Sequence, residues 1–285
     1  VEVAPIMGQA PLRWRQPCDQ QTPPCCDGSG QVSSAETIKA ESMADMPDLQ
    51  GIDLDEAQLK SKTGQHIEAG GEDLQREERP LYQYESGFTY MGQWKGKLRD
   101  GHGKLVWPSG DIYEGQWIRN VASGHGVYSS ACGAKYEGQW LDDQQHGQGC
   151  ETWPRGDSFT GSYLHGSKSK EGHFNFSDGS TYKGEFKDKG KHGHGIYCWV
   201  DGREYHGQWV QNEMHGKGKA SWTDGSCYEG DYIAGQKHGI GTFRWATGRV
   251  YEGQWQFGKQ HGLGVLTSAT GETTSGFWDE GRRTS

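Results

Sequence analysis

YEGQWIRNVASGHGVYSSACGAKYEGQWLDDQQHGQG, Tyr113 to Gly149, states one message twice: Tyr-Glu-Gly-Gln-Trp, a polar turn and Gly-x-Gly, then the same again 23 residues on. Outward from this stretch the register continues. An aromatic opens each unit at Tyr90, Tyr113, Tyr136, Phe159, Tyr182, Tyr205, Tyr228 and Tyr251, always 23 residues apart. Two residues later stands glycine, from Gly92 to Gly253, and two further a second aromatic, from Trp94 to Trp255. A ninth unit has Thr274 in the aromatic slot, then Gly276 and Trp278. Internal periodicity of this kind marks a repeat architecture.

Within a unit the period is two. Tyr113, Gly115 and Trp117 fall on one face of a strand, Glu114 and Gln116 on the other. The second half alternates as well, from Gly193 and Gly195 to Tyr197 and Trp199. A polar turn such as Lys187–His192 separates the halves, and Asp201–Gly202 or Asp224–Gly225 leads to the next unit. Each unit therefore reads as a β-hairpin. A bare glycine Cα leaves backbone onto which an aromatic of the neighbouring strand can lie. A lone hairpin is marginal in water, but hairpins side by side bury each aromatic row against the next. The expected fold is all-β: an elongated, twisted antiparallel sheet of about eight hairpins, about 75 Å long at 4.8 Å per strand.

The Tyr-x-Gly-x-Trp opening, the 23-residue spacing and the segments His192-Gly193-His194-Gly195, His215-Gly216-Lys217-Gly218, His238-Gly239-Ile240-Gly241 and His261-Gly262-Leu263-Gly264 resemble MORN repeats (membrane occupation and recognition nexus). The resemblance covers Phe88 to about Trp278. It implies a scaffold, of the kind found in flagellar, cytoskeletal and membrane-junction assemblies. Unit four departs from it, with Phe159, Tyr163 and Ser169-Lys170-Glu171-Gly172 where His-Gly-x-Gly belongs. Drift in a tolerant loop is one reading; a bend or a partner contact is the other.

Composition fits a repeat better than an ordinary globule. Only 32% of residues are apolar, mean hydropathy is −0.93, and glycines number 46. Residues 1–86 hold 16 acids and 7 bases, whereas the remainder balances at 22 of each. The expected organisation is an extended acidic arm over 1–86, the ribbon over 87–278 and a tail over 279–285. Within the arm, short helices are expected from Ser33 to about Ala44 and from Asp53 to Lys60. Neither buries enough to fold alone, so the arm reads as disordered or partner-bound. No signal-peptide pattern or stretch of roughly 18 apolar residues stands out. Seven scattered cysteines without a C-x-x-C pair suggest a reducing compartment.

Chemistry finds little purchase. His146, His192, His215, His238 and His261 share one repeat position, so neighbours stand roughly 10 Å apart, too far to share a zinc ion. No phosphate-loop signature occurs, and a repeated position cannot be a unique catalytic residue. No catalytic, cofactor or metal residue is assigned. A neutral ribbon whose aromatics sit in structural slots argues against nucleic acid. Protein partners are expected at Arg13, Trp14 and Arg15 of the arm. On the ribbon they are expected at the row Trp107, Trp153, Phe176, Trp199, Trp222 and Trp245, unless those rings only pack on one another. The alternative partner is an anionic membrane, met by turn lysines Lys168, Lys170, Lys187, Lys189 and Lys191. Open sheet edges suggest a homodimer. A cytoskeletal or ciliary assembly is the setting that the resemblance implies; membrane-associated or organellar complexes stay open.

Overall fold

The structure, a computed structural model, describes residues 75–284. The two arm helices and Arg13-Trp14-Arg15 lie outside the described residues. The described chain forms two units, 75–169 and 170–284.

The first unit carries β1 (Glu77–Gln83), β2 (Thr89–Lys95), β3 (Leu98–Val106), β4 (Ile112–Ile118), β5 (Val121–Ser129), β6 (Lys135–Leu141), β7 (Gln144–Thr152) and β8 (Ser158–Leu164). Each pairs antiparallel with the next. The second unit takes up Lys170–Asn175 of β9 (Ser167–Asn175). It continues with β10 (Thr181–Lys187), β11 (Gly190–Cys198), β12 (Glu204–Val210), β13 (Glu213–Ser221), β14 (Cys227–Ile233), β15 (Gln236–Arg244), β16 (Val250–Gln256), β17 (Lys259–Thr267), β18 (Thr273–Asp279) and β19 (Arg282–Arg283). From β9 to β19 every strand again pairs antiparallel with its successor. The fold is the expected all-β repeat. The ladder exceeds the expected bounds of 87–278, because β1 precedes Phe88 and Arg282–Arg283 pair back onto β18.

The turn inside a hairpin is shorter than expected. At Asp188–Lys189 both residues are left-handed, with φ of 50° and 70°, and Gln211–Asn212 repeat this at 49° and 70°. A two-residue turn of this type carries the strand twist through the reversal. The polar turn is therefore only Asp188–Lys189; Lys187 ends β10, while Lys191 and His192 lie in β11. Asn212 also ties its turn to the preceding hairpin: its N–H donates to Lys191 O at 3.1 Å, and its Oδ1 accepts from Lys191 N–H at 2.8 Å. The turn between hairpins is closed by Trp199 N–H to Arg203 O and Gly202 N–H to Trp199 O, both 2.9 Å.

The core is the aromatic face of the ladder. The opening aromatics, Tyr90 through Tyr251, have no exposed surface. Each tyrosine ring lies on glycine backbone: a Cβ added to Gly126 would meet the Tyr113 hydroxyl at 2.3 Å. That hydroxyl donates to Gln116 O at 3.1 Å, so a buried polar tip is satisfied. The Trp117 indole N–H donates to Gly103 O at 3.0 Å, and Trp140 repeats this on Gly126 O at 3.0 Å. Tyr113 meets Trp117 and Trp140 edge-on at centroid distances of 4.9 and 5.1 Å. Edge-on contact is the arrangement the ring quadrupoles prefer.

Candidate interaction surface

On the opposite, polar face the repeat builds a constant frame under variable side chains. Gln116 Oε1 accepts the His125 N–H at 2.7 Å, Gln208 the Lys217 N–H at 2.9 Å, and Gln254 the Leu263 N–H at 2.8 Å. Glu185 and Asp231 play the same part for His194 and Ile240. The pairing shifts register here, as a β-bulge does, for instance between Gly207 and Gln208. A left-handed residue next to the bulge is Gly193, Gly216, Gly239 or Gly262, at φ 56–59°. In unit four it is Lys170, at 56°, which an L side chain holds only at a cost of about 1–2 kcal/mol. The side chain that follows is imidazole, amide, carboxylate, lysine or aliphatic by turns: His194, Gln148, Glu171, Lys217 and Ile240.

Shallow troughs run over the glycine backbone of this face. One of about 520 Å³ is lined by His206, Lys217, Lys219, Glu229 and Ile240. In residues 75–169 one of about 360 Å³ is lined by His102, Lys104, Glu114, His125 and Val127. Beside the two-residue turns, Ile118, Leu141 and Leu164 end β4, β6 and β8 with 52%, 37% and 52% of their surface exposed.

The aromatic row expected to meet partners is uneven. Trp107 is buried, whereas Trp153, Phe176, Trp199, Trp222 and Trp245 are half-buried. The residue second in each nine-residue strand governs this. In the second unit Lys191 sits among Phe176, Tyr182, Tyr197 and Trp209, with 4.9 Å from Nζ to the nearer centroids. Lys237 sits likewise among Trp222, Tyr228, Phe243 and Trp255, 4.3 Å from Phe243. Beside Trp107 the corresponding residue is Ala122; the cage closes, and Trp107 and Tyr128 stand 6.1 Å apart, both buried. Ring faces attract a desolvated ammonium. Burial pushes the Lys237 amine down to about 8.

Unit four balances its caged cation with an anion. Lys168 Nζ lies 4.8 Å from the Trp153 centroid and donates to Glu151 Oε2 at 2.7 Å, which also accepts from the Tyr163 hydroxyl at 3.0 Å. Burial, and next the Glu151 carboxylate, raise the Tyr163 phenol far above its ordinary range. Two lysines of the membrane set are thereby corrected. Lys168 and Lys191 are not turn residues and are packed under rings, because their slot faces the aromatic side. Lys170, Lys187 and Lys189 are exposed. The cages escaped the sequence reading, although a signal existed: Arg99, Lys168, Lys191 and Lys237 share one position of the 23-residue register. Two of the repeated histidines pack on the next turn: His146 meets His165 at 5.3 Å and His238 meets Phe257 at 6.0 Å.

No curated protein matches the sequence. Among solved structures, the TCP10 domain of Danio rerio CPAP in complex with a peptide of Danio rerio STIL is 10% identical. The match covers 70% of this chain and 97% of that one, with a TM-score of 0.39. The SAS-4 (dCPAP) TCP domain in complex with a proline-rich motif of Ana2 of Drosophila melanogaster is 12% identical, over 59% and 97%, with a TM-score of 0.35. The family pattern described as MORN repeat matches 90–112, 113–133, 136–158, 182–202, 205–227, 228–248 and 251–273, more than half of the chain, and leaves out the divergent unit four. With its tyrosines, glycines and tryptophans in the frame those repeats share, the chain belongs to the MORN-repeat family.

Proposed function

We propose that the chain is a non-catalytic scaffold or adaptor that holds other proteins against its repeats and its N-terminal arm within a larger assembly. One observation carries this reading. The repeated polar groups are consumed by the frame, as in Gln208 Oε1 to Lys217 N–H and Trp209 Nε1–H to Gly195 O, while the exposed positions change from unit to unit. A fixed backbone presenting a different side chain every 23 residues is suited to selecting partners by pattern. The half-buried rings Trp199 and Trp245, each covered by an arginine at 5.1 and 5.2 Å, supply the aromatic and guanidinium groups that dominate interface energetics. A cytoskeletal or ciliary assembly is the setting proposed, on the family's general use.

The test is affinity capture from native extract with the full chain, with residues 75–285, and with a Trp199→Ala/Trp245→Ala variant of the full chain. A discrete set of proteins that thins in either altered form supports the scaffold. Recovery of membrane vesicles, abolished by Lys187→Glu and Lys189→Glu and carrying no protein set, overturns it in favour of anionic lipid.

A further inference from the structure

The carboxylate that neutralises Lys168 has no counterpart three periods of 23 residues later. Glu151, Tyr163 and Lys168 share register positions with Ala220, Tyr232 and Lys237. In the first unit Glu151 Oε2 accepts from the Tyr163 hydroxyl at 3.0 Å and from Lys168 Nζ at 2.7 Å. In the second unit Ala220 brings only a methyl group to that place. Tyr232, 2% exposed, keeps a buried hydroxyl with no hydrogen-bond partner among the described residues. Its cross-strand neighbour Lys237, 9% exposed, has four ring faces around its ammonium and, among the described residues, no ion pair. The two amines also lean differently. Lys168 Nζ stands 5.7 Å from the Tyr163 ring, whereas Lys237 Nζ turns to Phe243 at 4.3 Å.

A buried hydroxyl without an acceptor and a buried ammonium without an anion each leave a desolvation cost unrecovered. One group repairs both: a carboxylate lying where that of Glu151 lies. The atoms by which glutamate exceeds alanine are Cγ, Cδ and two oxygens, which are the heavy atoms of acetate. Trp222, two residues along the strand direction from Ala220, is half-buried, so the place is reached from the solvent side of the rings.

We propose that Ala220, Tyr232 and Lys237 form a binding site for a single carboxylate group, which accepts from the Tyr232 hydroxyl and from the Lys237 ammonium. The carboxylate is that of a small free acid or of an acidic side chain on a partner protein. The site is independent of the scaffold reading, which requires no anion.

The probes are acetate and the peptide N-acetyl-Gly-Glu-Gly-amide, exchanged for chloride at constant ionic strength against the full-length chain carrying lysine labelled at Cε. N-acetyl-Gly-Gln-Gly-amide is the neutral control. The Cε resonance of Lys237, identified by its loss in Lys237→Met, reports the site, because the surrounding rings set it apart. The expected result is a saturable shift and a rise in the pKa of the amine, since a neighbouring anion favours the ammonium. Tyr232→Phe weakens either probe by about tenfold or more, the effect of one hydrogen bond to a charged group. Ala220→Glu raises the same pKa with no probe present and removes the response to both. A response to acetate alone assigns the site to free acids; a response to the peptide at lower concentration than acetate assigns it to a partner's side chain. No saturable shift from either probe overturns the proposal, as does a shift that Tyr232→Phe leaves unchanged. An Ala220→Glu chain that melts cooperatively while its Lys237 titrates as in the wild type overturns it too.

Discussion

Gly218→Ala isolates the contact on which the repeat depends. A Cβ there would meet the Tyr205 hydroxyl at 2.3 Å and two ring carbons at 2.5 and 2.6 Å. Tyr205 has no exposed surface, and its hydroxyl donates to Gln208 O at 3.0 Å, so the ring has nowhere to retreat without losing that bond. Overpacking of this kind costs about 1–3 kcal/mol. A displaced hydroxyl adds about 1 kcal/mol. Gly218 is not left-handed, so alanine narrows the unfolded ensemble and returns about 0.4–1 kcal/mol. The net expectation is a loss of about 1–3.6 kcal/mol, near 2.3 at mid-range. Gly225→Ala is the control: that glycine sits at φ 87° with nothing within 4 Å of its Cβ, leaving only a backbone cost of about 1–2 kcal/mol. Urea unfolding followed by tryptophan fluorescence compares the two. Hydrogen exchange over β12 and β13 accompanies it, since a repeat array need not unfold in one step. If Gly218→Ala costs no more than Gly225→Ala, the tyrosine-on-glycine contact is not what holds neighbouring strands together.

Three further perturbations follow from the cages and the turns. Lys237 is folded into a site that lowers its pKa from 10.5 to about 8, so between these values the unfolded chain binds a proton that the folded chain does not, and stability rises with pH. The ceiling is about 3 kcal/mol; the four ring faces, which favour the ammonium, reduce it. The tyrosines, whose phenols burial raises, act in the opposite direction above about pH 10, so the comparison is the slope from pH 8 to 10 in wild type against Lys237→Met, which should be flatter. Glu151→Ala strands Lys168 among rings and should cost about 3–5 kcal/mol by thermal or urea unfolding, whereas Glu151→Leu/Lys168→Met should lie near wild type. Asn212→Ala removes the acceptor for Lys191 N–H and forces a non-glycine, non-asparagine residue to hold φ 70°; the expected loss is about 1–2 kcal/mol, measured by melting.

The frame of this protein was legible because its reasons are local and repeated. Tyr, Gly and Trp two residues apart specify one face of a strand, and 23-residue recurrence specifies that each hairpin has an identical neighbour to lie against. The need for glycine under the tyrosine ring also follows from covalent size alone. The turn was read too long because Lys191 and His192 are polar, and polarity by itself does not distinguish a loop from a strand whose side chain is caged. What Lys168, Lys191 and Lys237 do was settled only when distant rings came together: Lys237 depends on Trp222 before it and Trp255 after it, contributed by different hairpins. The same holds for Trp107, which is buried because Ala122 leaves its cage unfilled, and for Trp222, half-buried because Lys237 fills its own. Sequence by itself determined the hairpin, its period and the aromatic face, since those rest on contacts within one repeat and its copy. The tertiary structure alone decided which rings remain on the surface and which lysines leave it, because desolvation and ring contact depend on side chains that only the assembled ladder brings within about 5 Å.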